Sequence, residues 1–112
     1  MSMVKKQWEF LKDIALLIEK AEELNITLTA GEAYRSEYQQ KEYVRAGKSK
    51  TMDSQHLKRL AMDFNFFING KLTYEKEDIQ PLGDFWESLR TENSWGGNWE
   101  SFKDTPHFER RG

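Results

Sequence analysis

The sequence predicts an α+β fold in which a small antiparallel sheet is flanked by helices. Segments with helical periodicity and segments with strand alternation come in mixed order along the chain, and a sharp hairpin signal, Asn69-Gly70, follows the strongest strand. The chain has 112 residues, of which 38% are hydrophobic and none is cysteine. This length predicts one domain over residues 1–112, with a core that needs no disulfide bond.

The first predicted element is an amphipathic helix over residues 4–24. Asn25 is its predicted stop, and residues 26–30 then alternate between apolar and polar side chains, which is typical of a short, half-buried strand. Apolar residues recur along the helix at intervals of three and four, so we expect this stripe to be buried. The stripe comprises Val4, Trp8, Leu11, Ala15, Ile18 and Ala21.

A second, more polar helix is predicted after the first strand. Ser36 is a suitable N-cap because its hydroxyl can accept a hydrogen bond from the first turn, and Gly47 is a suitable end. Residues 48–55 are polar and are expected to form a surface loop.

The most informative strand is predicted over residues 60–68. Its even-numbered positions are all large and apolar and share one face, whereas Asp63 lies on the opposite face. Asn69-Gly70 then turns the chain, and residues 71–74 are expected to return antiparallel. Because strands are depleted in aspartate, Asp63 is a candidate functional residue.

A third helix is expected to begin near Pro81, which suits a first helical turn, and to stop near residues 91–93. The tail that follows is rich in aromatic residues and glycine, and Trp95 and Trp99 are expected in the core or in the wall of a groove. His107 is expected on a second strand near the C-terminus. The apolar stripe of the third helix comprises Leu82, Phe85, Trp86 and Leu89.

The charge pattern excludes several classes of partner. With 17 basic and 19 acidic residues and no concentrated basic stretch, the chain has no nucleic-acid footprint. Its N-terminal uncharged run, residues 14–18, is too short for a signal peptide or for membrane insertion. We therefore expect cytoplasmic synthesis, with delivery to any outside target by another factor. A monomer is expected, because the apolar stripe of the first helix is assigned to the core.

The two histidines of the chain, His56 and His107, form a candidate metal site with Asp63. A catalytic zinc takes three such ligands and leaves a fourth position open, and with one anionic ligand it lowers the pKa of bound water to about 7. Each histidine taken alone is more often a hydrogen-bonded structural residue, and the spacing from His56 to Asp63 is a weak motif by itself.

Two further residues could take part in a hydrolytic reaction. Asp104 lies three residues before His107 and could act as a general base toward water, and Arg35 could bind a carboxylate or carbonyl through its planar fork. The alternatives are an ordinary turn residue for Asp104 and a surface salt bridge for Arg35.

Two motifs carry a family resemblance. Residues 54–63 read Ser-Gln-His-Leu-Lys-Arg-Leu-Ala-Met-Asp, and residues 95–109 contain Trp-Gly-Gly-Asn-Trp followed by Phe-Lys-Asp-Thr-Pro-His-Phe-Glu. The first resembles the Ser-x-His-x-x-Gly-x-Ala-x-Asp signature of the zinc D-Ala-D-Ala and L-Ala-D-Glu peptidases. The second resembles the ending of the phage endolysin branch of that family. The resemblance covers most of the chain and implies the hedgehog/D,D-peptidase fold.

The resemblance also implies roles for individual residues. The zinc ligands of the family fall on His56, Asp63 and His107, and its catalytic base falls on Asp104. The family's arginine, which binds substrate and stabilises the oxyanion, corresponds to Arg35, and its substrate-site serine corresponds to Ser54.

The implied activity is cleavage of bacterial peptidoglycan stem peptides, with L-alanyl-D-glutamate endopeptidase as the first choice. The alternatives are a D-Ala-D-Ala carboxypeptidase or dipeptidase, and a non-catalytic cell-wall-binding module of the same fold. Two positions depart from the family pattern. Arg59 replaces the signature glycine, and Asp104 is one methylene shorter than the glutamate of many relatives.

Overall fold

The computed structural model describes residues 2–34, 36–47, 55–101 and 103–112. Helices and antiparallel strands alternate irregularly along these residues, which confirms the predicted α+β class. The elements are α1 (Met3–Glu23), β1 (Ile26–Ala30), α2 (Glu37–Arg45), β2 (Ala61–Ile68), β3 (Lys71–Thr73), α3 (Lys76–Leu89), β4 (Asn93–Trp95), a short 3₁₀ turn (Gly96–Asn98) and β5 (His107–Arg110).

Strand β2 is the centre of the sheet, whose order is β1-β2-β5-β4 with β3 also paired to β2. The C-terminal part of β2 pairs with β1 and β3, and its N-terminal part pairs with β5, always antiparallel. The β2–β3 hairpin turns at Asn69 (φ 52°) and Gly70 (φ 77°), the two left-handed residues that a type I′ turn requires. The predicted hairpin is confirmed. Because β5 pairs with residues 61–63, it lies beside the N-terminal end of β2.

The core lies on the face of β2 that the alternation predicted. Phe64 and Phe66 are buried there, and both pack near Phe108 of β5. The Phe108 ring also lies 6.0 Å from the Trp86 ring of α3 and 6.3 Å from the Trp95 ring, between centroids. The core therefore joins α3, β2, β4 and β5, and the opposite face of β2 carries Asp63 and Asn65.

Helix α1 agrees with the predicted span, but the predicted buried face is wrong. Much of the predicted stripe is exposed, with Val4 at 75% and Trp8 at 57% of their full accessible surface. The helix has two overlapping apolar stripes. The stripe that is buried contains a carboxylate, Asp13, and hydropathy alone therefore predicts that the other stripe is buried. The residues that α1 buries are Phe10, Asp13, Ile14, Leu17 and Ala21.

Asp13 is buried because it has partners. Its Oδ2 accepts a hydrogen bond from Arg90 Nε at 2.8 Å and another from Asn93 Nδ2 at 3.2 Å, and this ties α1 to the end of α3 and the start of β4. The expectation of a monomer depends on a buried apolar stripe, and the structure leaves most of that stripe exposed. The monomer therefore stays a prediction without that support.

Helix α3 begins five residues before Pro81, so the predicted start is wrong. Proline lacks a backbone N–H, so at this position the helix loses only the hydrogen bond to the Glu77 carbonyl. Glu77 and Asp78 in the first turn favour the earlier start through the helix dipole. The helix ends at Leu89, and the tail contains a strand, β4, that the sequence did not predict.

The second helix is confirmed. Ser36 is the N-cap of α2, and its Oγ accepts a hydrogen bond from the Gln39 N–H at 3.1 Å. The predicted loop at 48–55 lies outside the described residues except for Gln55. Among the described helices, none combines the length and the apolar character that a membrane crossing needs.

Candidate metal centre

Three side chains with metal-binding atoms meet at the N-terminal end of β2. They are His56, Asp63 and His107, and one ligand atom from each lies within 4.8 Å of the others. Asp63 Oδ1 lies 3.4 Å from His56 Nε2 and 3.1 Å from His107 Nδ1. Tetrahedral zinc with bonds of about 2.0–2.2 Å places its ligand atoms about 3.3–3.6 Å apart. The donor atoms and their spacing fit a zinc ion.

The backbone fixes Asp63 on both sides. Asp63 pairs directly with His107 in the β2–β5 register, so these two side chains emerge next to each other. On the other side, the Asp63 carbonyl accepts from Gly31 N–H and the Asp63 N–H donates to the Glu32 carbonyl, both at 2.8 Å. A Cβ on Gly31 would lie only 3.0 Å from the Asp63 carbonyl oxygen, so this close pairing favours glycine.

Each imidazole is oriented by a hydrogen bond from its other nitrogen. His56 Nδ1 lies 2.8 Å from the Ala33 carbonyl, which can only accept, so Nδ1 carries the proton and Nε2 is left toward Asp63. His107 uses the opposite arrangement: Nε2 lies 2.7 Å from Glu109 Oε1, and Nδ1 points toward Asp63. Outer partners of this kind fix the tautomer and the ring orientation of metal-binding histidines.

Glu109 is a residue of the centre that the sequence did not predict. A signal was present, because residues 107 and 109 are two apart on a strand and therefore share a face. Ala33 contributes only a backbone carbonyl, and no side-chain pattern could have indicated it.

The contacts between the histidines and Asp63 shift the pKa values of the centre. Burial raises the pKa of Asp63, but the interactions of its carboxylate with His107 and His56 outweigh burial and hold this pKa well below its ordinary value. Burial lowers the pKa of His107, but hydrogen bonds to Asp63 and Glu109 outweigh it and raise this pKa to about 9. Without metal, His107 is therefore an imidazolium at neutral pH and Asp63 is a carboxylate.

Asp104 is half-buried and its backbone is tied to the centre. Its carbonyl accepts from the His107 N–H and its N–H donates to the Gly96 carbonyl, both at 3.0 Å. A Cβ on Gly96 would overlap the Asp104 carbonyl, so the chain passes very close at this point. The next residue, Thr105, is fixed by the indole N–H of Trp95 at 2.8 Å. Asp104 thus has a fixed position beside His107, and its role as a base stays a prediction.

The two tryptophans of the tail have different surroundings. Trp95 is fully buried, and its ring lies in a slot where a Cβ on either Gly83 or Gly97 would overlap it. Trp99 is half-buried, with its ring centroid 5.2 Å from that of His107. Trp95 is therefore a core residue and Trp99 is a wall of the centre, as the sequence predicted. Arg35 and Ser54 lie outside the described residues, so their predicted substrate contacts stay predictions.

Comparison with known proteins identifies the family. The sequence profile of a family described as D-alanyl-D-alanine carboxypeptidase matches residues 47–110. The chain belongs to this family. The part that matches the D-alanyl-D-alanine carboxypeptidase family contains all three candidate ligands and Asp104, and Arg35 precedes it.

Two proteins to which this chain is similar are both named for the bond between L-alanine and D-glutamate. The chain is 33% identical over 97 residues to the L-alanyl-D-glutamate peptidase of Listeria phage A118, covering 83% of this chain and 34% of the phage protein. It thus spans about a third of that relative's length. The crystal structure of Serratia marcescens L-Ala D-Glu endopeptidase ChiX matches with a TM-score of 0.76 and 28% identity, covering 91% of this chain and 77% of ChiX. This match confirms the expected D,D-peptidase-like fold.

Proposed function

We propose that this protein is a zinc-dependent peptidase that cleaves the bond between L-alanine and D-glutamate in peptidoglycan stem peptides. The observation that carries the proposal is the His56–Asp63–His107 cluster, with ligand-atom spacings of 3.1 and 3.4 Å and an outer partner on each imidazole. The choice of bond is supported by the names of the two relatives, which both specify L-Ala-D-Glu.

The ligands of the zinc would be His56 Nε2, Asp63 Oδ1 and His107 Nδ1. Two neutral imidazoles and one carboxylate leave the site with a net positive charge and one open position. Bound there, zinc supplies Lewis acidity to the scissile carbonyl and lowers the pKa of water.

Asp104 acts as the general base in this proposal. A carboxylate oxygen of Asp104 takes a proton from the attacking water and then delivers it to the amine of the leaving D-glutamate. The hydrogen bond from the His107 N–H to the Asp104 carbonyl, at 3.0 Å, supports the role because it fixes the base relative to a ligand. Arg35 would stabilise the negative charge that develops on the carbonyl oxygen, and Ser54 would contact the substrate.

The decisive experiment compares the wild type with Asp104→Asn, which has nearly the same size but cannot accept the proton. We expect equal zinc content and a loss of turnover of about 10²- to 10⁴-fold in the variant. The readout is mass spectrometry of fragments released from purified peptidoglycan, together with metal analysis. Equal activity of the two proteins would contradict the role of Asp104. An inactive, zinc-loaded wild type would contradict the proposed function and favour a binding module.

A second candidate bond is D-Ala-D-Ala, which the description of the matching family favours. The same mass spectra distinguish the two, because cleavage after L-alanine releases a peptide that begins with D-glutamate, whereas carboxypeptidase action releases single D-alanine.

The endolysin role is part of the proposal and has its own test. We infer delivery to the wall by another factor such as a holin, so the protein expressed inside bacteria should lyse them only after the membrane is permeabilised. Lysis without permeabilisation would contradict this.

A further inference from the structure

Arg59 has an unusual backbone conformation at a position next to the metal centre. Its φ is 59°, in the left-handed region that glycine adopts without strain and that a residue with a Cβ rarely adopts. The position belongs to the tight turn that carries His56 into β2, in which Leu60 N–H donates to the Gln55 carbonyl at 2.9 Å. This turn explains why the signature has glycine here. Strain retained beside a functional site is a reason to ask what the side chain does.

The Arg59 side chain is stacked on Tyr34 and has an exposed charge. Its guanidinium carbon lies 4.2 Å from the centroid of the Tyr34 ring, and Tyr34 is 51% exposed. Stacking uses the face of the guanidinium and leaves its N–H edge available for a planar anion. Within the part of the chain that the structure describes, no carboxylate lies at ion-pair distance from Arg59.

The stacked pair lies against the segments that carry the metal ligands. Tyr34 follows Ala33, whose carbonyl orients His56. Arg59 and Tyr34 also border a cavity of about 240 Å³ between α1 and the start of β2, which Gln7, Leu11 and Met62 line. The pair is tied to the metal centre through the chain, because Tyr34 is the residue after Ala33 and the Arg59 N–H donates to the His56 carbonyl at 3.3 Å.

We propose that Arg59, held by its stacking on Tyr34, binds a carboxylate of the peptide substrate through its guanidinium edge. The inference rests on the proposed function, because a stem peptide supplies the carboxylates: one on D-glutamate, one at its C-terminus and, in some peptides, one on the third residue. An arginine fork binds a carboxylate through two parallel hydrogen bonds, whereas an amide offers only one acceptor oxygen. Arg59 thus favours stem peptides whose carboxylate is not amidated.

The test is equilibrium binding of synthetic stem peptides to the zinc-loaded protein, in an Asp104→Asn background that prevents turnover. The peptides are the unmodified form and forms amidated at one carboxylate each. Arg59→Gly is the variant, because glycine suits the φ of 59° and the turn should fold. We expect this variant to bind the unmodified peptide about 10- to 100-fold more weakly. One of the amidated peptides should bind with equal affinity to the protein with Arg59 and to the Arg59→Gly variant. The group that is amidated in this peptide is the carboxylate that Arg59 binds.

Two further variants separate recognition from a structural effect. Arg59→Lys keeps the charge but not the planar fork and should recover only part of the affinity, and Tyr34→Leu should lower the affinity for the same peptide by removing the stack. In the turnover-competent protein, Arg59→Gly should raise KM with little change in kcat.

The inference is overturned if the Arg59→Gly variant binds every peptide with the same affinity as the protein with Arg59. It is also overturned if the substitution lowers the affinity for every peptide equally. Failure of the proposed function is a different result, in which the wild type binds a peptide but cleaves none. If no peptide binds at all, both proposals fail.

Discussion

Asp63 and His107 face each other across strands β2 and β5, and Asp63 Oδ1 lies 3.1 Å from His107 Nδ1. Two of the three candidate ligands are thus placed by strand pairing, and the third, His56, is placed by a turn and a backbone carbonyl. A metal bound by these residues would link β2, the central strand of the sheet, to β5, the last strand of the chain.

Removing either histidine is expected to abolish stoichiometric zinc binding. His56→Ala and His107→Ala each leave two ligands, which are too few for a stable site of this kind. Metal analysis after dialysis against a weak chelator measures the effect, and Asp104→Asn is the control that should retain one zinc per chain. Stoichiometric zinc in either alanine variant would contradict the proposed ligand set.

Glu109 is expected to tune the zinc affinity without binding the metal. Glu109→Gln replaces the charged acceptor of the His107 Nε2 proton, which lies 2.7 Å away. Loss of such a partner typically weakens metal binding by about 10- to 100-fold. Competition titration with a chromophoric chelator measures this change. The exposed Glu100→Gln should leave the affinity unchanged, and an equal effect of the two variants would exclude the outer-partner role.

Zinc affinity is expected to rise with pH, because zinc must displace a proton from His107. The pKa of His107 is about 9, so at pH 7 its Nδ1 carries the proton that binding removes. The apparent affinity should increase about tenfold per pH unit between pH 6.5 and 8. Calorimetry in two buffers with different ionisation enthalpies counts the released proton. No proton release at pH 7 would contradict the raised pKa.

The metal-free protein should show the opposite dependence on pH. A raised pKa means that protonated His107 stabilises the fold, fully below its ordinary pKa of 6.5 and no longer above about 9. The melting temperature of the metal-free protein should therefore fall across this interval, and Glu109→Gln should reduce the fall.

The buried face of α1 can be tested with a matched pair of substitutions. Leu17 is fully buried and Leu11 is 52% exposed. Leu17→Ala is expected to lower the free energy of unfolding by about 3 kcal/mol, and Leu11→Ala by less than about 1 kcal/mol. Urea denaturation measures both. A larger effect at Leu11 would show that the exposed stripe is covered in solution.

A methyl group at Gly83 should disturb the slot that holds Trp95. Alanine normally stabilises a helix relative to glycine, but here its Cβ would overlap the buried indole ring. Gly83→Ala is expected to destabilise the protein by about 1–3 kcal/mol. Ser88→Ala, at an exposed position of the same helix, should be nearly neutral. Thermal unfolding followed by tryptophan fluorescence compares the two variants, and a more stable Gly83→Ala would contradict the slot.

The sequence predicted best where one pattern excluded its competitors. In β2 the alternation of large apolar residues with Asp63 had no helical alternative, and Asn69-Gly70 fixed the hairpin and therefore the register. The two histidines were the only imidazoles of the chain, so the candidate ligand set followed from few choices.

Prediction failed where two physical effects compete. In α1 two apolar stripes overlap, and the choice between them depends on Arg90 and Asn93, which pair with Asp13 from far along the chain. In α3 the first-turn carboxylates outweigh the preference of Pro81 for a helix start. The short strand β4 has no alternation of its own and forms because β5 pairs with it.

The slot around Trp95 has a consequence for how related sequences are interpreted. The Trp-Gly-Gly run at residues 95–97 is a packing requirement of the core, because one of its glycines and Gly83 leave room for the indole ring. It contributes no atom to the candidate metal centre. A sequence that keeps this run but has replaced His56 or His107 is therefore expected to fold in the same way and to have lost the chemistry, so the run is a marker of architecture and not of enzymatic activity.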